Sequence, residues 1–311
     1  MIKGIHHITA IASDPKKTVD FYTRVLGLRL VKKSVNQDDV ATYHLFFGDK
    51  TGEPGMDLTF FTFQPARPGS RGVGQVTTIS FAVPSKSLVF WQERFAKMDV
   101  KAEPIREEFG QQRMVFYDHD NQRLELVELE NTTKNQSNNI WTAAEITTAE
   151  AIISFYSARL MVEKIELVAP ILEMIFGYTE QQKKNDLTVY TLENEHRASV
   201  LEVEERSLES IGQPGAGTVH HIAFRVDDEA EAVKLQSMII KLGLYPTEVI
   251  NRFYFKSVYF RSPAGILFEI ATDGPGFATD ETEDSLGEKL ALPPFLEDRR
   301  AEIEAHLSPI K

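Results

Sequence analysis

The 311-residue sequence contains no cysteine. Disulfides, thiolate metal sites and cysteine nucleophiles are thereby excluded, and any metal has to sit on His, Asp or Glu. Positive charge is also scarce: 34 Lys and Arg face 46 Asp and Glu, a formal net charge of -12. Nucleic acid and anionic membrane surfaces are recognised by clustered cations, so neither is an expected partner. No apolar run reaches the ~18 residues of a transmembrane helix. The N-terminus, MIKGIHHITA, lacks the basic and apolar regions of a signal peptide. The expectation is a soluble cytoplasmic protein that handles a neutral or weakly polar small molecule.

What the chain does contain is repetition. Gly72 to Pro84 (GVGQVTTISFAVP) matches Gly215 to Asp227 (GAGTVHHIAFRVD), setting Thr78 on His221. Asp118 to Leu129 (DHDNQRLELVEL) matches Ser262 to Asp273 (SPAGILFEIATD), setting Glu125 on Glu269 at almost the same offset. Two matches at one spacing indicate duplicated halves. A second layer lies inside each half. Ile5, His7, Thr9 and Ile11 alternate with His6, Ile8 and Ala10 as in a strand. Asp14-Pro15 is a helix start, Val19, Tyr22, Val25 and Leu26 follow at helical spacing, and Gly27 is a helix stop. Ile171 to Tyr178 (ILEMIFGY) repeats that helix end.

Four units emerge, near residues 2–64, 74–130, 148–205 and 217–272. Each reads as a strand, a helix and about three further strands, an α+β class. The hairpin of unit three is read from Thr188 to Glu193 and Ala198 to Val203, flanking a polar turn. Asn131 to Asn139 (NTTKNQSNN) reads as the linker between halves. The domains expected are therefore 1–139 and 140–272, each a pair of units. A tail over 273–311 carries a short amphipathic helix after Pro293-Pro294.

The histidines follow the repeat. HH pairs open units one and four (GIHHITAI and TVHHIAFRV), whereas His44, His119 and His196 are scattered and His306 lies in the tail. Neighbouring strand residues face opposite ways, so one histidine of each pair should face the inner side. A lone strand histidine is more often a core residue than a ligand. The combination is what counts: Thr78 replaces His221 in unit two, and Glu269 lies among Ile, Leu and Phe, where an unpaired carboxylate is costly. His7, His221 and Glu269 together make the 2-His-1-carboxylate set of non-haem Fe(II) oxygenases. Glu125 repeats Glu269 without histidine partners.

These segments resemble the vicinal oxygen chelate superfamily, which includes glyoxalase I, fosfomycin-resistance proteins and extradiol dioxygenases. Its hydroquinone-type ring-cleaving dioxygenases are the nearest in kind. The resemblance is carried by GIHHITAIASD, GAGTVHHIAFRV, Asn251 to Phe277 (NRFYFKSVYFRSPAGILFEIATDGPGF) and the tail LGEKLALPPFLEDRRAEIE, and so spans the chain. It implies four βαβββ modules in two paired-module domains with cupped mixed sheets. It implies metal ligands at His7, His221 and Glu269, with Thr9, His220, Arg252 and Tyr259 around them. Units one and four then share one cup, and units two and three form a second, vacant one.

The implied reaction is Fe(II)-dependent extradiol-type cleavage of a hydroquinone or related dihydroxylated aromatic, with O2 as co-substrate and Mn(II) or Zn(II) as substitute metals. His220 is the expected acid–base group. Arg252 and Tyr259 are expected to hold substrate and stabilise oxygen charge, and Thr9 to bind a hydroxyl. A regular strand would turn His220 away from the metal, so that role needs a bulge. The bland readings are that Arg252 pairs with a carboxylate and that Tyr259 and the 20 Phe are core. The rivals are a glyoxalase-like isomerase or thiol transferase using Zn(II), Ni(II) or Mn(II), and a non-catalytic small-molecule-binding protein. A small aromatic substrate is the expected partner, with room left for a homo-oligomer.

Overall fold

A computed structural model of the protein describes residues 1–130, 139–143, 145–193 and 196–310. The expected linker, apart from Asn139, lies outside the described residues, as does part of the turn in the unit-three hairpin. Unit one runs β1 (Ile5–Ala12), α1 (Pro15–Val19), β2 (Arg29–Asn36), β3 (Asp39–Gly48) and β4 (Asp57–Thr62). Asp14 caps α1, accepting from the amides of Lys16 and Lys17. The helix continues through Asp20–Val25 with π geometry and stops at Gly27, whose φ is +70°.

Unit two is β5 (Gln75–Pro84), α2 (Leu88–Lys97), β6 (Arg106–Glu108), β7 (Gln111–Tyr117) and β8 (Arg123–Leu129). Unit three is β9 (Ser154–Val162), a π-helical turn at Ile171–Phe176, β10 (Thr179–Lys184), β11 (Leu187–Thr191) and β12 (Val200–Glu205). Unit four is β13 (Thr218–Val226), α3 (Glu229–Lys241), β14 (Ile250–Asn251), β15 (Lys256–Arg261) and β16 (Leu267–Thr272). A short α4 (Arg300–His306) closes the tail.

The strands form two mixed eight-stranded sheets, ordered β14-β15-β16-β13-β1-β4-β3-β2 and β10-β11-β12-β9-β5-β8-β7-β6. The first sheet joins units four and one, and the second joins units three and two. Each sheet thus takes one unit from either side of residue 139. The central seam of the first is the antiparallel pair β1–β13, and of the second the pair β5–β9.

One apolar cluster runs through both sheets and their helices. Phe176 of unit three packs on Phe224 and Phe268 of unit four, at ring-centroid distances of 4.4 and 5.9 Å. Arg94 of α2 bonds to the carbonyl oxygens of Val25 and Arg24 at 2.8 and 2.6 Å. The tail braces the β2 edge: Lys32, fully buried, donates to Phe277 O at 3.0 Å and Asp280 at 2.7 Å, and also meets Glu281. No helix among the described residues is long and apolar enough to cross a membrane.

Candidate metal centre

The seam β1–β13 builds the site. His7 stands on β1 and His221 on β13, while β16 runs parallel to β13 with Glu269 opposite Ala223. All three side chains are buried. Nε2 of His7 lies 3.3 Å from Nε2 of His221. Glu269 Oε2 lies 3.1 Å from the first and 2.9 Å from the second, yet accepts no well-directed hydrogen bond from either. Ligands about 2.1 Å from one metal and at right angles are separated by about 3.0 Å. The triangle of 2.9–3.3 Å therefore fits one face of an octahedral ion, with the opposite face left open.

The surroundings hold this triangle. Ser257 donates to the other carboxylate oxygen, Glu269 Oε1, at 2.5 Å. Burial pushes the Glu269 carboxyl up, but His7 and His221 outweigh it and hold it well below the usual carboxylate range. Burial lowers His221, against the raising effect of Glu269. Thr9 Oγ1 sits 2.9 Å from His221 Nε2 and 2.7 Å from Thr59 Oγ1. Thr59 Oγ1 in turn lies 3.0 Å from His44 Nε2.

A small cavity opens over His7 and His221. Phe46, Phe61 and Phe255 form its aromatic walls, and Arg252, Tyr259 and His44 supply polar groups. Arg252 Nε bonds to the Tyr259 hydroxyl at 3.3 Å, and its guanidinium reaches both oxygens of Asp38 at 3.2 and 3.0 Å. The bland and functional readings of Arg252 thus both describe it: it pairs with a carboxylate while facing the cavity. Burial is the main cause raising the Tyr259 hydroxyl well above its usual range, so it is a neutral donor. His44 is held well below the usual histidine value, chiefly by burial. It had read as one of the scattered histidines, with no repeat partner to flag it.

His220 is not among the residues lining this cavity. It is exposed and borders a neighbouring groove that it shares with Gln75, Ile211 and Arg261 and that meets the cavity at His221. The β1–β13 register skips His220, and also His6. These two bulges bring both rings of each HH pair side by side, Nδ1 to Nδ1, at 2.8 Å for His220–His221 and 3.0 Å for His6–His7.

The second sheet keeps the bulges, at Thr77 and Tyr156, but its cup is not vacant as expected. By the same register Thr78 and Ser157 stand where His221 and His7 stand in the first sheet. Arg113, buried, lies 2.6 Å from Glu202 and 3.4 Å from Glu125. Arg159 lies 2.6 Å from Glu202 and 2.8 Å from Glu108, and Arg106 lies 2.6 Å from Glu125. Guanidinium groups supply here the positive charge that a cation would supply at Glu269. Burial raises Glu202, but Arg159 and Arg113 outweigh it and hold it low.

The comparisons with known proteins agree with this architecture. The family model described as the glyoxalase/bleomycin resistance protein/dioxygenase superfamily matches residues 4–126. A Bacillus subtilis protein named as a ring-cleaving dioxygenase, MhqO, is 44% identical over 99% of this chain and 96% of its own length. The chain belongs to this superfamily. A second member, named chlorohydroquinone/hydroquinone 1,2-dioxygenase, from Sphingobium indicum, is 32% identical over 97% of this chain and 95% of its own length. A crystal structure described as a dioxygenase from Bacillus subtilis superposes with a TM-score of 0.94 at 43% identity, covering 100% of this chain and 98% of that one. Maize glyoxalase I shares the fold at 17% identity, with a TM-score of 0.63 over 87% of this chain and 92% of its own.

Proposed function

We propose that this superfamily member is a non-haem Fe(II)-dependent, extradiol-type ring-cleaving dioxygenase acting on a hydroquinone or related dihydroxylated aromatic with O2. The observation that carries the reading is the triangle of His7 Nε2, His221 Nε2 and Glu269 Oε2 under an aromatic cavity. The names of its relatives point the same way. Held by these three donors, Fe(II) would supply the redox chemistry that couples a dihydroxylated ring to dioxygen. Mn(II) or Zn(II) fit the same donors as substitutes.

The chain's own groups do the rest. Phe46, Phe61 and Phe255 sandwich an aromatic ring and exclude water. A hydroquinone carries its second hydroxyl para to the first, and Arg252 with Tyr259 offers a charged and a neutral donor for oxygen charge that develops beyond the metal. His44 lines the cavity and offers a ring nitrogen for a hydrogen bond to a substrate hydroxyl. Thr9 is a hydroxyl within reach of the metal-facing atoms. His220 borders the neighbouring groove, so its effect on the reaction runs through His221. The test is anaerobic loading with Fe(II), Mn(II) or Zn(II), followed by oxygen-uptake assays over hydroquinones and catechols. Uptake restricted to the iron form supports the reading. Absence of uptake by fully loaded protein over the whole panel refutes it.

A further inference from the structure

The two HH pairs bear on how the ligands are prepared for metal, an inference that rests on the metal-site reading above. In a contact between two imidazole nitrogens one must donate and the other accept. For the first pair the direction follows from its far end. His6 Nε2 lies 3.2 Å from the carbonyl oxygen of Thr272, which can only accept, so Nε2 carries the proton. A doubly protonated His6 would be a charge in a ring only 4% exposed, which is costly without a bonded counter-charge. Asp57 lies within 4.8 Å of both rings, but neither of its oxygens receives a hydrogen bond. His6 Nδ1 is therefore bare, His7 donates to it through Nδ1 over 3.0 Å, and His7 Nε2 keeps its lone pair toward His221 and Glu269.

We infer that His6, the bulged first member of its HH pair, is a positioning residue that sets the tautomer of His7. It holds the ligand nitrogen Nε2 of His7 unprotonated before a metal arrives. A ligand histidine in the other tautomer would have to move its proton across the ring before binding. The register skips both first histidines, on opposite strands of one seam, but the two pairs are not equivalent. His6 is anchored at both nitrogens. His220 is exposed and, among the described residues, is hydrogen-bonded only at Nδ1, so its contact does not fix the tautomer of His221.

The deciding experiment is nitrogen-15 NMR of the imidazoles in metal-free protein at neutral pH. It is paired with Mn(II) titration of wild type, His6→Leu, His6→Asn and His220→Leu against a competing chelator. The expected result is the Nδ1–H tautomer at His7 and one metal per chain. His6→Leu should then mix the tautomers of His7 and weaken metal binding by about 10–100-fold. His6→Asn, whose amide oxygen can still accept from His7, should restore most of the affinity, and His220→Leu should lose less than His6→Leu. Far-UV circular dichroism confirms that each variant is folded. An Nε2–H tautomer of His7 in wild type, equal loss in His6→Leu and His6→Asn, or a second metal held by His6, His7 and Asp57 would each overturn the inference. The expected His7 tautomer in a protein that binds no metal would instead refute the proposed metal centre and leave the tautomer assignment standing.

Discussion

Replacing Arg113 with Met should cost the protein about 3–5 kcal/mol, the usual penalty for removing one partner of a buried ion pair. The reason lies in the second cup. Arg113 is 1% exposed and its partners Glu125 and Glu202 are fully buried. Methionine fills most of the side chain's volume, so the loss is chiefly electrostatic. Glu125 keeps Arg106 at 2.6 Å and Glu202 keeps Arg159 at 2.6 Å, but two carboxylates then face the place that one guanidinium had held. That loss is a large part of the ~5–15 kcal/mol that stabilises an ordinary domain. At about 2–4 °C per kcal/mol it corresponds to a fall in Tm of roughly 6–20 °C. Urea unfolding followed by circular dichroism measures it, with metal-free samples so that the first sheet adds no ligand linkage. Metal stoichiometry should stay unchanged, because the residues that could hold an ion lie in the other sheet. A loss under about 1 kcal/mol, as for a solvent-exposed pair, would refute the claim that these arginines stand in for a cation.

Other outcomes follow from the first sheet. His221→Ala should abolish metal binding and turnover together, measured by metal analysis and oxygen uptake; a variant that retains both would remove His221 from the ligand set. Arg252→Lys loses the fork that meets Asp38 and Tyr259, and kcat/KM for a hydroquinone should fall by about 100-fold while metal affinity stays the same. Metal-free protein should lose stability as pH falls below 6.5. His6 and His221 have lowered folded values, with burial the largest cause, so the unfolded chain takes up their protons first. Their contribution is complete above the unfolded value near 6.5 and declines by about 1.4 kcal/mol per pH unit per histidine toward the folded values. Denaturant titrations at stepped pH check the slope, and a flat profile between pH 7 and 5 would contradict the sign. Metal present at 100 times its Kd should add about 2.7 kcal/mol, read as a rise in Tm.

The triad was legible in the sequence because three independent patterns met on it: the repeat, the alternation of strand residues and a carboxylate amid apolar neighbours. The four units were read from the internal repeat, and the pairing of units one and four followed from where those ligands lie in the chain. The bulges were not legible. A period of two shows which face a residue takes but not which residue the partner strand skips, so the side-by-side HH rings required the register itself. His44 and Ser257 carry no repeat signal, since each acts from one unit alone. The second cup misread as vacant for a related reason. Arg106, Glu108, Arg113, Arg159 and Glu202 look like ordinary surface charges along a strand, and only their convergence around Glu125 shows that they neutralise one another inside the sheet. Asp38 likewise reads as a turn residue until Arg252, far away in sequence, reaches it.

On the proposed function, His7, His221 and Glu269 hold an iron that opens an aromatic ring with dioxygen. Turnover of hydroquinone by Fe(II)-loaded protein under isotopically labelled O2, with the product analysed by mass spectrometry, tests it most directly. The expected result is consumption of one O2 per hydroquinone and a ring-opened product carrying both labelled oxygen atoms. Unlabelled benzoquinone with hydrogen peroxide, or no consumption of O2 at all, would contradict it.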